Sequence, residues 1–130
     1  MSKAHVLDAS ALLVLVLAEP GSEKVLKLLE TGRCSMSAVN YAEAVGKLNE
    51  IGMTDDEIMT ILDGLRIHIE PFDREQAHRC GLLRRTTRTL GLSLGDRACL
   101  QLAAALGAVA VTSDRAWLRA KTAARVELLR

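Results

Sequence analysis

Four acidic residues stand where a folded chain can bring their side chains to one place. Asp8 directly follows one short apolar run, and Asp114 lies two residues after another. Glu43 and Asp96 lie inside segments with helical spacing, each beside apolar neighbours. A buried carboxylate without a partner costs on the order of several kcal/mol or becomes protonated. Four carboxylates that converge therefore need a cation.

Metal-assisted hydrolysis of a phosphodiester bond is the chemistry that suits such a cluster. Oxygen ligands favour a hard ion, Mg²⁺ or alternatively Mn²⁺, which keeps several waters and binds substrate phosphate. Such an ion activates a water molecule and neutralises the charge that develops on the phosphate. The three histidines, His5, His68 and His78, have no spacing typical of metal ligands.

Small polar residues lie beside these acids in the sequence. We expect their hydroxyl and amide groups to orient the carboxylates or the waters of the site. They are Ser10, Asn40, Thr112 and Ser113.

Helix capping is the other explanation for three of the acids. Asp8 and Asp114 each precede a helical stretch, as N-cap residues do. Ser93 and Asp96 have the spacing of a capping box, and an acid in the first turn suits the helix dipole. The sequence leaves both explanations open.

The elements that must position these residues alternate between short β-leaning runs and helical stretches. Strands are predicted at residues 4–7, 33–36, 67–71, 108–112 and 125–128, and helices at 9–17, 22–30, 37–51, 54–63, 76–90 and 93–106. This alternation predicts a three-layer α/β/α domain over residues 1–130, with a central parallel sheet of four to five strands. The helical pair 37–63 is long for one crossover, so we expect an outlying hairpin there.

The net charge of +1 is an average over two unlike halves of the chain. Residues 1–73 carry 6 Lys and Arg against 12 Asp and Glu, a net charge of −6, whereas residues 74–130 carry 11 against 4, a net charge of +7. A partner can therefore meet an acidic site and a basic surface on one small domain. Tyr41, Phe72 and Trp117 are the only aromatic residues, which argues against an aromatic platform for stacking bases.

The cysteines and the apolar runs indicate a cytoplasmic protein. No two of the three cysteines, Cys34, Cys80 and Cys99, form a Cys-x-x-Cys pair, and their odd number suits no simple disulfide framework. The apolar run 9–18 is far shorter than the roughly 20 residues of a membrane span. We expect no association with a membrane.

The order of the acidic and polar residues resembles that of the PIN-domain ribonucleases. Within that family the chain is most similar to the VapC-type toxins of bacterial toxin–antitoxin pairs, and the resemblance covers nearly the whole chain. The residues that carry it are, in order, Asp8-Ala9-Ser10, then Ser37, Asn40 and Glu43, then Leu92-Ser93-Leu94-Gly95-Asp96, then Thr112-Ser113-Asp114.

The resemblance implies roles for these residues. Asp8 and Asp96 would be the principal metal ligands, the other two acids would complete a catalytic pocket, and Ser10 and Thr112 match the family's supporting hydroxyls. It also implies an RNA substrate, a VapB-like antitoxin that holds the toxin inactive, and a homodimer.

An RNA substrate needs cationic contacts, since an acidic pocket repels phosphate. Most of the arginines near the acids lie on the long helix before Gly91, and one follows Asp96. The arginines expected to bind RNA are Arg84, Arg85, Arg88 and Arg97.

Two other functions are compatible with the length and the α/β pattern. A PIN fold without catalytic activity would bind RNA or a protein partner only. A phospho-receiver domain would need paired acids after the first strand, where only Asp8 stands, and would have Asp73 as its only candidate phosphoacceptor.

Overall fold

The computed structural model describes residues 3–130, in which five parallel strands form one sheet. The strands are β1 (His5–Leu7), β2 (Cys34–Ser37), β3 (His68–Glu70), β4 (Val109–Thr112) and β5 (Arg125–Leu128). Their order in the sheet is β3-β2-β1-β4-β5, and every pair of neighbours is parallel. The chain builds the sheet outward from β1 on one side and then returns to its other side. The crevice between the carboxyl ends of β1 and β4 is therefore the switch point of the topology.

Six α-helices connect and follow these strands within residues 3–130. They are α1 (Ala9–Val16), α2 (Ser22–Glu30), α3 (Ala38–Glu50), α4 (Asp55–Gly64), α5 (Arg74–Thr87) and α6 (Leu94–Leu106). The longest, α5, has 14 residues, and none is long and apolar enough to cross a membrane. The helix predicted over residues 76–90 has different bounds at both ends in the structure. Asp73 caps the helix, which begins earlier than expected, and a 3-10 turn over Arg88–Leu90 follows it.

Helices cover both faces of the sheet, which confirms the predicted three-layer α/β/α fold. Alternation along β1 sends Leu7 into a core shared with α1 to α4 and Val6 into a core shared with α6. Trp117 closes the second core and is almost fully buried. Helix α5 packs on the outside of α6.

The expectation of an outlying hairpin over residues 37–63 is wrong. Leu48 of α3 and Ile58 and Leu62 of α4 belong to the same apolar cluster as Met36 of β2. Burial of such side chains stabilises each by roughly 1.5–3 kcal/mol. Both helices are consequently anchored in the core of the domain, α4 through Ile58 and Leu62 while its other eight residues are exposed.

Candidate active site

Asp8 lies at the carboxyl end of the central strand, and its side chain is held by three donors. Its backbone N–H donates to Val111 O at 3.1 Å, which fixes β1 against β4 at this point. Oδ1 accepts from Ser10 Oγ at 2.7 Å and from the Ala11 N–H at 2.8 Å, and Oδ2 accepts from Thr112 Oγ1 at 2.6 Å. Asp8 is thus the N-cap of α1, as the capping explanation predicts, and it also faces the switch point.

The loop after β4 orients the two hydroxyls that bind Asp8. The Ser113 N–H donates to Ser10 Oγ at 3.1 Å, and the Asp114 N–H donates to Thr112 Oγ1 at 3.1 Å. Because each hydroxyl oxygen accepts one of these N–H groups, each hydroxyl is left to donate its own proton to Asp8. Ser113 acts through its backbone, whereas the sequence analysis expected its side chain to contribute.

Burial raises the pKa of the Asp8 carboxyl group. The side chain is almost fully inside the protein, and desolvation is the largest cause of the shift. The hydrogen bonds from Thr112, Ser10 and Ala11 oppose it, while the negative charge of Asp96 adds to it. A cation between Asp8 and Asp96 would remove both unfavourable contributions.

Asp96 lies in the first turn of α6 and forms the capping box that its spacing predicts. The Asp96 N–H donates to Ser93 Oγ at 3.2 Å, and the Ser93 N–H donates to Asp96 Oδ2 at 2.9 Å. Oδ1 of Asp96 has no hydrogen bond from the described residues. Capping and metal binding are therefore compatible, since one oxygen serves the helix and the other is free for an ion.

Glu43 of α3 reaches across to the first turn of α6. Its Oε1 accepts from Asn40 Nδ2 at 3.2 Å, and Asn40 Nδ2 also donates to Gly95 O at 2.9 Å. Asn40 is 1% exposed, so this amide joins α3 to α6 inside the protein. Gly95 belongs to the segment that carries the resemblance to the PIN-domain ribonucleases, but no role was predicted for it. A further signal is that a glycine in the first turn of a helix costs about 1 kcal/mol relative to alanine.

The charges of three of the four predicted acids act on one buried thiol. Burial raises the pKa of Cys99 well above its usual range, and the charges of Asp8, Asp96 and Glu43 raise it further. Asp114 is placed differently: it is exposed, and its Oδ1 accepts from the Ala116 N–H at 3.0 Å, which caps a 3-10 turn. Its link to the group is the hydrogen bond from its own N–H to Thr112.

The donor set suits a hard divalent cation, although no preformed cage exists. No three His, Cys, Asp or Glu side chains in residues 3–130 are close enough together to hold one metal ion. Mg²⁺ needs fewer protein ligands, because it binds through one or two carboxylates together with waters and substrate phosphate. Asp8 and Asp96 fit that description; coordination by all four acids stays a prediction.

The four predicted RNA-binding arginines have two different environments. Arg84, Arg85 and Arg88 are exposed, and Arg84 and Arg88 line a cleft of about 290 Å³ beside Ser93. Arg97 borders the same cleft but is only 8% exposed, and its Nη1 donates to Cys80 O at 3.1 Å. Binding of RNA by Arg97 stays a prediction, and its burial and its hydrogen bond to Cys80 O count against it. Its guanidinium joins α6 to α5, because a charged group that is almost buried needs an acceptor.

Comparison with known families decides the identity of the fold. Residues 5–123 match the sequence profile of the PIN domain. The chain belongs to the PIN domain family. The match includes all four acids of the candidate site and removes the phospho-receiver alternative.

Solved structures similar to this PIN domain include complexes of toxins with antitoxins. VapBC2 from Rickettsia felis bound to a promoter DNA fragment has a TM-score of 0.76 at 18% identity, covering 96% of this chain and 98% of that chain. DNA-bound VapBC from Salmonella typhimurium has a TM-score of 0.76 at 18% identity, covering 99% and 100%. VapBC-5 from Mycobacterium tuberculosis has a TM-score of 0.62 at 23% identity, covering 99% of both chains. Comparison with curated protein sequences finds no significant match.

Proposed function

We propose that this PIN domain is a metal-dependent endoribonuclease. The observation that carries the proposal is Asp8, a buried carboxylate at the switch point whose pKa is raised. The negative charge of Asp96 repels that of Asp8. Such a pair is unfavourable without a cation and favourable with one. An acid with a raised pKa in a crevice is typical of a functional site.

Mg²⁺ is the proposed cofactor, with Mn²⁺ as a substitute. When bound, the ion supplies an activated water and neutralises charge on the phosphate. Ser10, Thr112 and the Ala11 N–H fix the Asp8 carboxylate in one orientation, so that no reorganisation of this ligand is needed. Asp96 contributes its free Oδ1, and the exposed Glu43 is suited to orient a water or to accept its proton.

RNA phosphate is proposed to contact the exposed arginines of α5 and of the 3-10 turn that follows it. Arg84 and Arg88 border the cleft that begins at Ser93, three residues before Asp96, and Arg85 lies beside them on the helix. The net charge of +7 over residues 74–130 attracts a polyanion that the acidic pocket alone would repel.

A VapB-like antitoxin and a second copy of this chain are the proposed partners. The fold is shared with the VapBC complexes of Rickettsia felis and Salmonella typhimurium over nearly the full length of both chains. The toxin assignment therefore predicts that expression of this chain alone inhibits growth, and that a cognate antitoxin relieves the inhibition.

Cleavage of RNA by the purified protein tests the enzymatic assignment. We expect cleavage in Mg²⁺, none in excess chelator, and recovery when Mg²⁺ is restored. Asp8→Asn and Asp96→Asn should each lower the rate on the order of a hundredfold or more. Asp56→Asn, at an exposed position in the first turn of α4, is the matched control and should cleave at the wild-type rate. Equal cleavage by all four proteins would show that the metal site is elsewhere.

A PIN fold that binds RNA without hydrolysis is the second candidate. It is favoured by one observation, the absence of a three-residue ligand group from residues 3–130. RNA binding that persists in chelator, with intact RNA after prolonged incubation in Mg²⁺ or Mn²⁺, would support this candidate against the nuclease.

A further inference from the structure

Gly95 allows α6 to approach the Glu43 carboxylate more closely than any other residue could. A Cβ atom built at Gly95 would lie 2.5 Å from Glu43 Cδ and 2.6 Å from Oε2, and closer still to Oε1. Real side chains do not make contacts this short, so a methyl group here must displace the carboxylate. The other helical glycines, Gly46, Gly64 and Gly81, have no atom within 4 Å of an added Cβ.

The buried amide of Asn40 explains why the carboxylate stays in this position. One Nδ2 group donates to Glu43 Oε1 at 3.2 Å and to Gly95 O at 2.9 Å. The carboxylate is thus held from one side by Asn40 and rests on the bare backbone of Gly95 on the other. Asp96 is the next residue, so the same contact sets the position of Glu43 relative to the proposed metal ligand.

We propose that Gly95 is a positioning residue, which with Asn40 fixes the Glu43 carboxylate beside Asp96 for metal binding. The inference rests on the proposed function in so far as the positioned group serves a metal. The contact between Gly95, Asn40 and Glu43 does not depend on it, and is testable in protein without metal or RNA. The atoms that must move are at the end of a flexible side chain, so Gly95→Ala leaves room for the fold to persist.

The first readout is the Asn40 side-chain amide in metal-free protein, followed by ¹H–¹⁵N NMR. In Gly95→Ala the two Nδ2 protons should shift, and the one bonded to Glu43 should exchange faster with solvent. Gly46→Ala, a glycine-to-alanine change on the same helix as Glu43, should leave both signals as in the wild type. Unchanged Asn40 signals in Gly95→Ala would overturn the proposal.

The second readout is Mn²⁺ affinity, with the shorter acid Glu43→Asp as the rescue variant. Gly95→Ala should weaken Mn²⁺ binding by about tenfold or more, the effect typical of groups that orient ligands. Glu43→Asp should also weaken it, because the carboxylate is drawn back by one methylene. In that background Gly95→Ala should change the affinity by less than about twofold, since the shorter side chain no longer meets the new methyl group.

The outcomes separate this inference from the nuclease assignment. If the losses of Mn²⁺ affinity caused by Gly95→Ala and by Glu43→Asp multiply in the double variant, the positioning role is overturned, whether or not the protein cleaves RNA. Altered Asn40 signals and a non-additive Mn²⁺ effect in a protein without RNA cleavage would support the positioning role and count against the nuclease. If Gly95→Ala alone does not fold, folding of the double variant supports the contact and its unfolding overturns it.

Discussion

At the scale of single residues, Asp8 serves the fold and the proposed chemistry with one carboxylate. As the N-cap of α1 it accepts the Ala11 N–H, and an asparagine could do the same. Only the charge is specific to a metal site. Because burial penalises that charge, the function proposed for Asp8 has a cost in stability when no metal is bound.

The stability of the metal-free protein should fall less with rising pH in Asp8→Asn than in the wild type. The folded-state pKa of Asp8 lies above its ordinary value of 3.8, so the folded protein binds the proton more tightly than the unfolded chain. Its contribution is complete below pH 3.8 and is lost as the pH rises through the folded-state pKa. In urea unfolding with chelator, the free energy of unfolding of Asp8→Asn should therefore rise relative to that of the wild type as the pH rises. The total gain should be about 1.4 kcal/mol for each tenfold difference between the acid dissociation constants of Asp8 in the folded and unfolded states.

The control for this pH series is saturating Mg²⁺, which should stabilise only the wild type. A pH-independent difference between Asp8→Asn and the wild type would contradict the assignment of a buried, charged Asp8.

The Thr112 hydroxyl is predicted to favour the ionised form of Asp8. Thr112 is fully buried, donates to Asp8 Oδ2 and accepts the Asp114 N–H. Thr112→Val should lower the free energy of unfolding by about 1–3 kcal/mol and weaken Mn²⁺ binding, whereas Thr112→Ser keeps the hydroxyl. Calorimetry of unfolding and of Mn²⁺ titration measures both. Equal effects of valine and serine would show that packing, not the hydroxyl, matters here.

At the scale of elements, α6 connects the site to the helices around it. Asn40 joins it to α3, and Arg97 joins it to α5 through the Cys80 carbonyl. The acid at its N-terminus is held in place by contacts along two sides of the helix. Stability and site geometry are therefore coupled through α6.

Arg97 is predicted to stabilise the fold and not to bind RNA. Arg97→Met removes the donor to Cys80 O and should lower the free energy of unfolding by about 1–3 kcal/mol. Arg84→Met, at an exposed position of α5, should change it by less than about 0.5 kcal/mol. Chemical denaturation of the two variants measures this difference. An unchanged free energy of unfolding in Arg97→Met would contradict the stabilising role of Arg97.

At the scale of the whole molecule, the opposite charges of the two halves predict a salt-dependent interaction with RNA. Arg84→Ala and Arg88→Ala should each weaken binding of an uncleaved single-stranded RNA and reduce the slope of log affinity against log salt by about 0.7. Fluorescence anisotropy over a range of KCl concentrations measures this slope. Arg66→Ala, exposed in the acidic half of the chain, should keep the wild-type slope. Identical slopes for all four proteins would place the RNA elsewhere.

The sequence was sufficient to predict the layers and the strands, because these depend on local patterns. Apolar runs, the capping residues Asp8, Thr54 and Ser93, and glycine stops mark each element within a few neighbours. The contacts of Arg97 and Gly95 were not predicted, for the opposite reason. Their partners are 17 and 52 to 55 positions away, so only the packing of α6 on α5 and α3 reveals what they do.

The central claim is that Asp8 and Asp96 together bind the divalent ion with which this PIN domain cleaves RNA. Anomalous scattering from crystals of the protein soaked in Mn²⁺ tests it most directly. We predict an anomalous peak in contact with both carboxylates in the wild type, and its loss in Asp8→Asn crystals. A wild-type crystal without a peak there, at a Mn²⁺ concentration that supports cleavage of RNA in solution, would contradict the account.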